Sequence, residues 1–103
     1  YFFVTEDKKT VRVQFDDVLF IEALQKYIRI HTVDKRIVTL LSLSKIHEML
    51  PTSRFPRIHR SFIVNVDKID SIEANIVRIN DHELPVSKGQ KANFMRSLNE
   101  RKV

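Results

Sequence analysis

The chain has 103 residues, too few for more than one modest core, so we expect residues 1–103 to form a single domain. It contains no cysteine, which excludes disulfides and favours a cytoplasmic protein, and no apolar run approaches the roughly 20 residues that span a membrane. Lysine and arginine number 18 against 13 acidic residues, and the net charge of +5 favours an anionic partner such as nucleic acid.

Alternating apolar and β-branched residues predict strands along the first part of the chain. The predicted strands are Phe2–Thr5, Thr10–Phe15, Val18–Ile21, Tyr27–Val33 and Arg36–Leu41. A polar turn at residues 6–9 separates the first two strands, and Asp16-Asp17 interrupts the pattern after the second. The last two strands should form a hairpin that turns near Asp34-Lys35.

A short helix is predicted next. Ser42 or Ser44 can cap its start by accepting a hydrogen bond from a backbone N–H, and Pro51 should end it. The residues expected on its apolar face are Ile46, Met49 and Leu50. The strands predicted after it are Phe62–Val66, Ile69–Ile72, Ile76–Ile79 and Glu83–Val86, with a tight turn at Asn80-Asp81. Residues 90–102 predict a basic terminal helix with Phe94 and Leu98 on one face.

A basic segment at residues 54–60 separates the short helix from the strand that follows. It holds Arg54, Arg57, His59 and Arg60, and the sequence predicts a loop here. Long arginine stems can cover apolar neighbours on an ordinary solvated face. Such a dense basic footprint on a loop nevertheless favours binding, because the planar arginine fork can bond two phosphate oxygens or two guanine acceptors at once.

The sequence offers little for an enzyme or a metal site, and we expect no catalysis, no metal and no cofactor. Its only glycine, Gly89, excludes a glycine-rich phosphate loop. Ser61 lies near His59, but no glycine elbow surrounds the serine, so a structural serine is the better interpretation. The four histidines are scattered without the spacing of metal ligands.

Two other polar connections are candidates for binding. Gln25-Lys26-Tyr27 reads as an exposed turn between strands. Ser87–Lys91 joins the last strand to the terminal helix, where free N–H groups and two lysines can hold a phosphate. On periodicity alone, both segments are equally compatible with ordinary polar connections.

Three stretches of the chain resemble the LytTR DNA-binding domain. The clearest is Phe55–Asn65, which reads FPRIHRSFIVN, and the second is Val18–Ala23, followed by Tyr27 and an Ile-Arg-Ile strand. Leu84–Ser87 resembles the family's last strand, which runs into a short helix. The resemblance covers nearly the whole chain. It implies a mainly β fold, an elongated β-sandwich of small antiparallel sheets with short helices at the edges.

The resemblance also implies a function. It indicates sequence-specific binding of double-stranded promoter DNA by loops that enter successive major grooves, in the output domain of a bacterial two-component response regulator. The residues carried over as DNA contacts are Lys26, Tyr27, Arg57, His59, Arg60, Lys88 and Lys91. Arg60 and Lys88 are assigned to base edges, and Arg57 and Lys91 chiefly to phosphates. The implied partners are a second copy on repeated sites, an upstream receiver domain and a sensor kinase.

Two alternative functions remain open. A module for RNA or single-stranded nucleic acid would need exposed aromatic rings for base stacking, whereas Phe15, Phe20 and Phe62 fall at core-periodic positions. A basic protein-interaction domain would instead meet an acidic partner and would show no affinity that depends on duplex DNA.

Overall fold

Ten short strands and two helices make up most of the computed structural model, which describes residues 1–103. The strands are β1 (Phe2–Glu6), β2 (Lys9–Val13), β3 (Val18–Ala23), β4 (Ile28–Thr32), β5 (Arg36–Thr39), β6 (Arg57–His59), β7 (Phe62–Val64), β8 (Ser71–Glu73), β9 (Ile76–Ile79) and β10 (His82–Pro85). The helices are α1 (Leu43–Met49) and α2 (Lys88–Asn99). The molecule is elongated, 43 × 24 × 24 Å, and the predicted mainly β fold with short helices is confirmed.

The strands form three antiparallel sheets. A five-stranded sheet in the order β5-β4-β3-β7-β6 lies at the centre. The hairpin β1–β2 and the three-stranded sheet β10-β9-β8 are separate. The β1–β2 turn places Asp7 and Lys8 at positive φ, and the predicted tight turn after β9 places Asn80 there. Asparagine and aspartate tolerate this conformation better than most residues.

The central sheet carries an apolar core on each face. In the first core, residues of β3, β4 and β5 pack with the β1–β2 hairpin and α1. In the second core, Leu19 and Phe20 of β3 pack with the β8–β10 sheet and with Phe94 of α2. A register shift between Val18 and Phe20 lets the adjacent residues Leu19 and Phe20 share one core. Coverage of both faces explains why the first four residues of β3, Val18–Ile21, are an unbroken apolar run.

Several predicted boundaries were wrong. β2 ends at Val13, and Phe15–Asp17 forms a 3-10 turn instead of continuing the strand. The strand predicted to reach Val66 ends at Val64, and Val66–Lys68 is a second 3-10 turn. Of the two predicted caps of α1, Ser42 is the N-cap and Ser44 is not. Met49 is about half exposed, and Leu43 completes the buried face with Ile46.

Candidate nucleic-acid interface

Three chain segments meet at one end of the central sheet, a region we call the basic end. They are the β3–β4 loop (residues 24–27), the β6–β7 turn (residues 60–61) and the start of α2 (residues 87–91). The Ala23 N–H at the end of β3 donates to the Ser61 carbonyl over 2.8 Å. The Ser87 N–H donates to the Ile58 carbonyl of β6 over 2.9 Å. Backbone hydrogen bonds therefore fix all three segments relative to one another.

Four cationic side chains of the basic end point into solvent without an internal partner. They are Lys26, Arg60, Lys88 and Lys91, all of them exposed and none in a hydrogen bond or ion pair. Tyr27 is 46% exposed beside Lys26. A cluster of unpaired positive charges on a rigid sheet is the electrostatic footprint that a polyanion requires.

His59 is held in one ring orientation at the end of β6. Its Nδ1 accepts a hydrogen bond from the Ser61 backbone N–H at 3.0 Å, and its ring centroid lies 5.6 Å from that of Phe62. The neutral ring consequently carries its proton on Nε2, which makes that atom a donor. The Ser61 hydroxyl takes no part in this contact, so the pair lacks the geometry of a serine nucleophile and its base.

The basic segment is only partly the loop that the sequence predicted. Residues 54–56 lie outside any helix or strand, but Arg57–His59 is β6, the edge strand of the central sheet, and the chain then turns at residues 60–61. Its three arginines have different surroundings. Arg54 forms ion pairs with Asp16 and with Asp67, whereas Arg60 is exposed. The hydrogen bond and charge of Arg54 hold the pKa of the Asp16 carboxyl below its usual range.

Arg57 is partly buried and makes hydrogen bonds within the protein, unlike the exposed Arg60, but it forms no ion pair, unlike Arg54. Its Nη2 donates to the Arg60 carbonyl at 2.7 Å, and its Nε donates to the His59 carbonyl at 3.4 Å. Its Nη1 donates to the Ser44 hydroxyl in α1 at 3.1 Å. The guanidinium is therefore largely engaged within the protein. Sequence reasoning missed Ser44, since no local pattern indicates that a residue of α1 contacts β6.

Glu22 is an acidic residue on β3 next to the basic end, and its charge is compensated. Its carboxylate accepts from Arg29 at 3.2 Å and contacts His31 Nε2 at 2.9 Å. Arg29 lies directly opposite Glu22 across the β3–β4 pair, so opposite charges on two strands joined by a short turn are the signal that identifies this contact. Burial lowers the pKa of His31, although Glu22 opposes this shift.

α2 begins at Lys88, two residues before the predicted start, so Lys88 belongs to the first helical turn. Ser87 is the N-cap, but its side chain accepts no hydrogen bond from the helix. Its carbonyl accepts from the Gln90 and Lys91 N–H groups at 3.1 Å each. The N–H groups of Lys88 and Gly89 remain at the positive end of the helix dipole, beside two lysines.

Comparison with known proteins identifies the family. Residues 8–99 match the family described as "LytTr DNA-binding domain". The chain belongs to this family. It is 31% identical over 98 residues to the transcriptional regulatory protein YpdB of Escherichia coli (strain K12), with 88% of this chain and 40% of that protein covered. It is 27% identical over 88 residues to the sensory transduction protein LytT of Bacillus anthracis, with 80% of this chain and 36% of that protein covered.

A solved structure supports the same assignment. The LytTr DNA-binding domain of a methyl-accepting/DNA response regulator from Bacillus cereus superposes with a TM-score of 0.83 at 26% identity, covering 94% of each chain. The chain spans about 40% of the length of the first curated relatives that it matches. Neither α1 nor α2 has the length and apolar composition of a membrane-spanning helix.

Proposed function

We propose that this chain binds specific sequences in double-stranded promoter DNA and regulates transcription as the output domain of a response regulator. The observation that carries this proposal is the basic end, where backbone hydrogen bonds fix three cationic segments side by side. Relatives named as a transcriptional regulator and a sensory transduction protein support the regulatory role. Such a regulator acts in the cytoplasm, where the bacterial chromosome lies.

Within the basic end, we assign Arg60 and Lys88 to base edges. Arg60 extends from a turn without any internal partner, so its fork is free to bond the O6 and N7 of a guanine. Lys88 can donate to a single base acceptor from the first turn of α2. Lys26, Tyr27 and the His59 Nε2–H can donate to base edges or to phosphate oxygens.

The phosphate contacts are assigned to α2 and β6. Lys91 lies in the first turn of α2, where the helix dipole also favours an anion. Arg57 adds a positive charge from β6, although its hydrogen bonds within the protein indicate a different main role.

The partners follow from the regulatory role. We propose that two copies bind a repeated DNA site, that a receiver domain precedes this chain and that a sensor kinase controls it. The curated relatives are more than twice as long as the matched segment, which leaves room in them for a further domain.

Selection of bound sites from random duplex DNA tests the proposed function. We expect a repeated motif whose half-sites are separated by about one helical turn, roughly 10 base pairs. Arg60→Ala should then cost about 1–3 kcal/mol at one base position and relax the preference there. Lys102→Ala is a matched control, because Lys102 is exposed but lies beyond the far end of α2.

A gel-shift comparison of the selected duplex with RNA and with single strands separates the alternatives. Stronger binding of single strands or RNA than of the selected duplex would favour stacking on exposed rings instead. Absence of any duplex-dependent affinity at low salt would favour an acidic protein partner.

A further inference from the structure

We propose that Ser44 and Arg57 act as positioning residues that hold the β6–β7 turn in shape for base contact by Arg60. This inference rests on the proposed DNA binding and assigns Arg57 a main role other than phosphate contact. It also connects α1, which lies outside the basic end, to the geometry of that end.

The observation that supports this proposal is that the Arg57 guanidinium donates hydrogen bonds to three acceptors. Arg57 donates to the carbonyl of His59, the residue before the turn, and to that of Arg60, the first residue of the turn. It also donates to the Ser44 hydroxyl. A guanidinium is planar and rigid, so these bonds fix the two carbonyls relative to each other and to α1. The peptide unit from which the Arg60 side chain extends is thereby held in place.

Apart from the hydrogen bond that the Ala23 N–H donates to the Ser61 carbonyl, the turn has little other support. β6 and β7 have three residues each, and their pairing is irregular, with a register shift between Arg57 and His59. The Ser61 N–H is satisfied by the His59 ring and not by a backbone carbonyl. Because short, irregular pairs are weakly specified, side-chain bonds to the backbone must supply much of the turn's rigidity.

Rigidity at this position bears on specificity more than on overall affinity. A bidentate contact between arginine and guanine requires correct orientation, whereas a contact with phosphate tolerates movement of the side chain. Loosening the turn should thus weaken binding to the selected site and leave binding to random DNA nearly unchanged. If Arg57 mainly contacted a phosphate, the outcome would differ. Its replacement would then weaken binding to both kinds of DNA and reduce the salt slope by about one.

Ser44→Ala is the most informative substitution, because it removes one acceptor without altering any charge. Alanine has a higher helix propensity than serine, so α1 itself should not be weakened. Arg57→Lys keeps the positive charge but loses the fork that reaches three acceptors. Ser71→Ala, at an exposed position on β8, is the matched control.

The experiment measures the affinity of each variant for a duplex selected by the wild-type chain and for a random duplex, over a range of salt. We expect the ratio of the two affinities to fall about threefold for Ser44→Ala and about tenfold for Arg57→Lys, with the salt slope unchanged. Equal loss on both duplexes, or a ratio for Ser44→Ala that matches Ser71→Ala, would overturn the positioning role. Thermal unfolding of each variant checks that it is folded.

A second readout needs no DNA. Backbone order parameters of residues 59–61 should decrease in Ser44→Ala and stay unchanged in Ser71→Ala. An unaltered turn in Ser44→Ala contradicts the positioning role even if the chain binds DNA. A loosened turn in a chain that selects no duplex contradicts the proposed function and leaves the structural role of the pair intact.

Discussion

Replacing Asn65 with alanine should destabilise the fold strongly, because this fully buried side chain connects three segments of the backbone. Its Nδ2 donates to the Val18 carbonyl at 2.8 Å and to the Phe15 carbonyl at 3.2 Å, and its Oδ1 accepts from the Asp67 N–H at 3.0 Å. At about 1 kcal/mol for each hydrogen bond, the loss is about 3 kcal/mol. That is a large part of the roughly 5–15 kcal/mol that stabilises a domain.

Urea unfolding of wild type and Asn65→Ala measures this loss, provided that the denaturant slope is the same in both. Asn75→Ala is the matched control, since Asn75 is exposed and its side chain makes no hydrogen bond in the structure. Asn65→Asp should be at least as damaging as Asn65→Ala, because a buried carboxylate would face the carbonyls of Phe15 and Val18. A loss in Asn65→Ala below about 0.5 kcal/mol, the size of an ordinary surface effect, would refute the reasoning.

Two further predictions concern charge. Lys91→Ala should weaken binding to all duplexes similarly and reduce the salt slope by about one; a slope equal to that of wild type would exclude a phosphate contact. Burial lowers the pKa of His31 below its ordinary value of 6.5, so the unfolded chain takes up a proton that the folded chain resists. The free energy of unfolding should therefore fall as the pH drops through that value. Between about pH 8 and about pH 5, it should fall less in His31→Gln than in wild type. Equal pH dependence in the two chains would show that other groups dominate.

Much of the fold follows from local pattern. Apolar periodicity predicts the strands in the first third of the chain and the core position of Phe94. The serine at position 42 indicates the start of α1. Phe15 was placed in a strand because it continues the alternation of β2. Its ring packs between Phe2 and Phe55, at centroid distances of 5.7 Å to each, so its apolar character serves the core from a 3-10 turn. Alternation alone cannot distinguish these two cases.

The different surroundings of the three arginines could not be predicted from the sequence. Arg54 is neutralised by Asp16 and Asp67, which lie 38 and 13 positions away in the chain. Arg57 is engaged by Ser44, 13 positions away. Only the folded arrangement shows that Arg60 alone of the three has no internal partner. The resemblance to a family assigned Arg57 and Arg60 to DNA contact without knowledge of these internal contacts.

The most direct test of DNA recognition by the basic end is an NMR titration of this chain with a duplex that it selects. We expect the largest amide shifts at residues 24–27, 57–61 and 87–91, the three segments that backbone hydrogen bonds bring together. Shifts concentrated instead around the Asp34-Lys35 turn, at the opposite end of β4, or on β8 would contradict the assignment, because they would place the DNA on a different surface of the molecule.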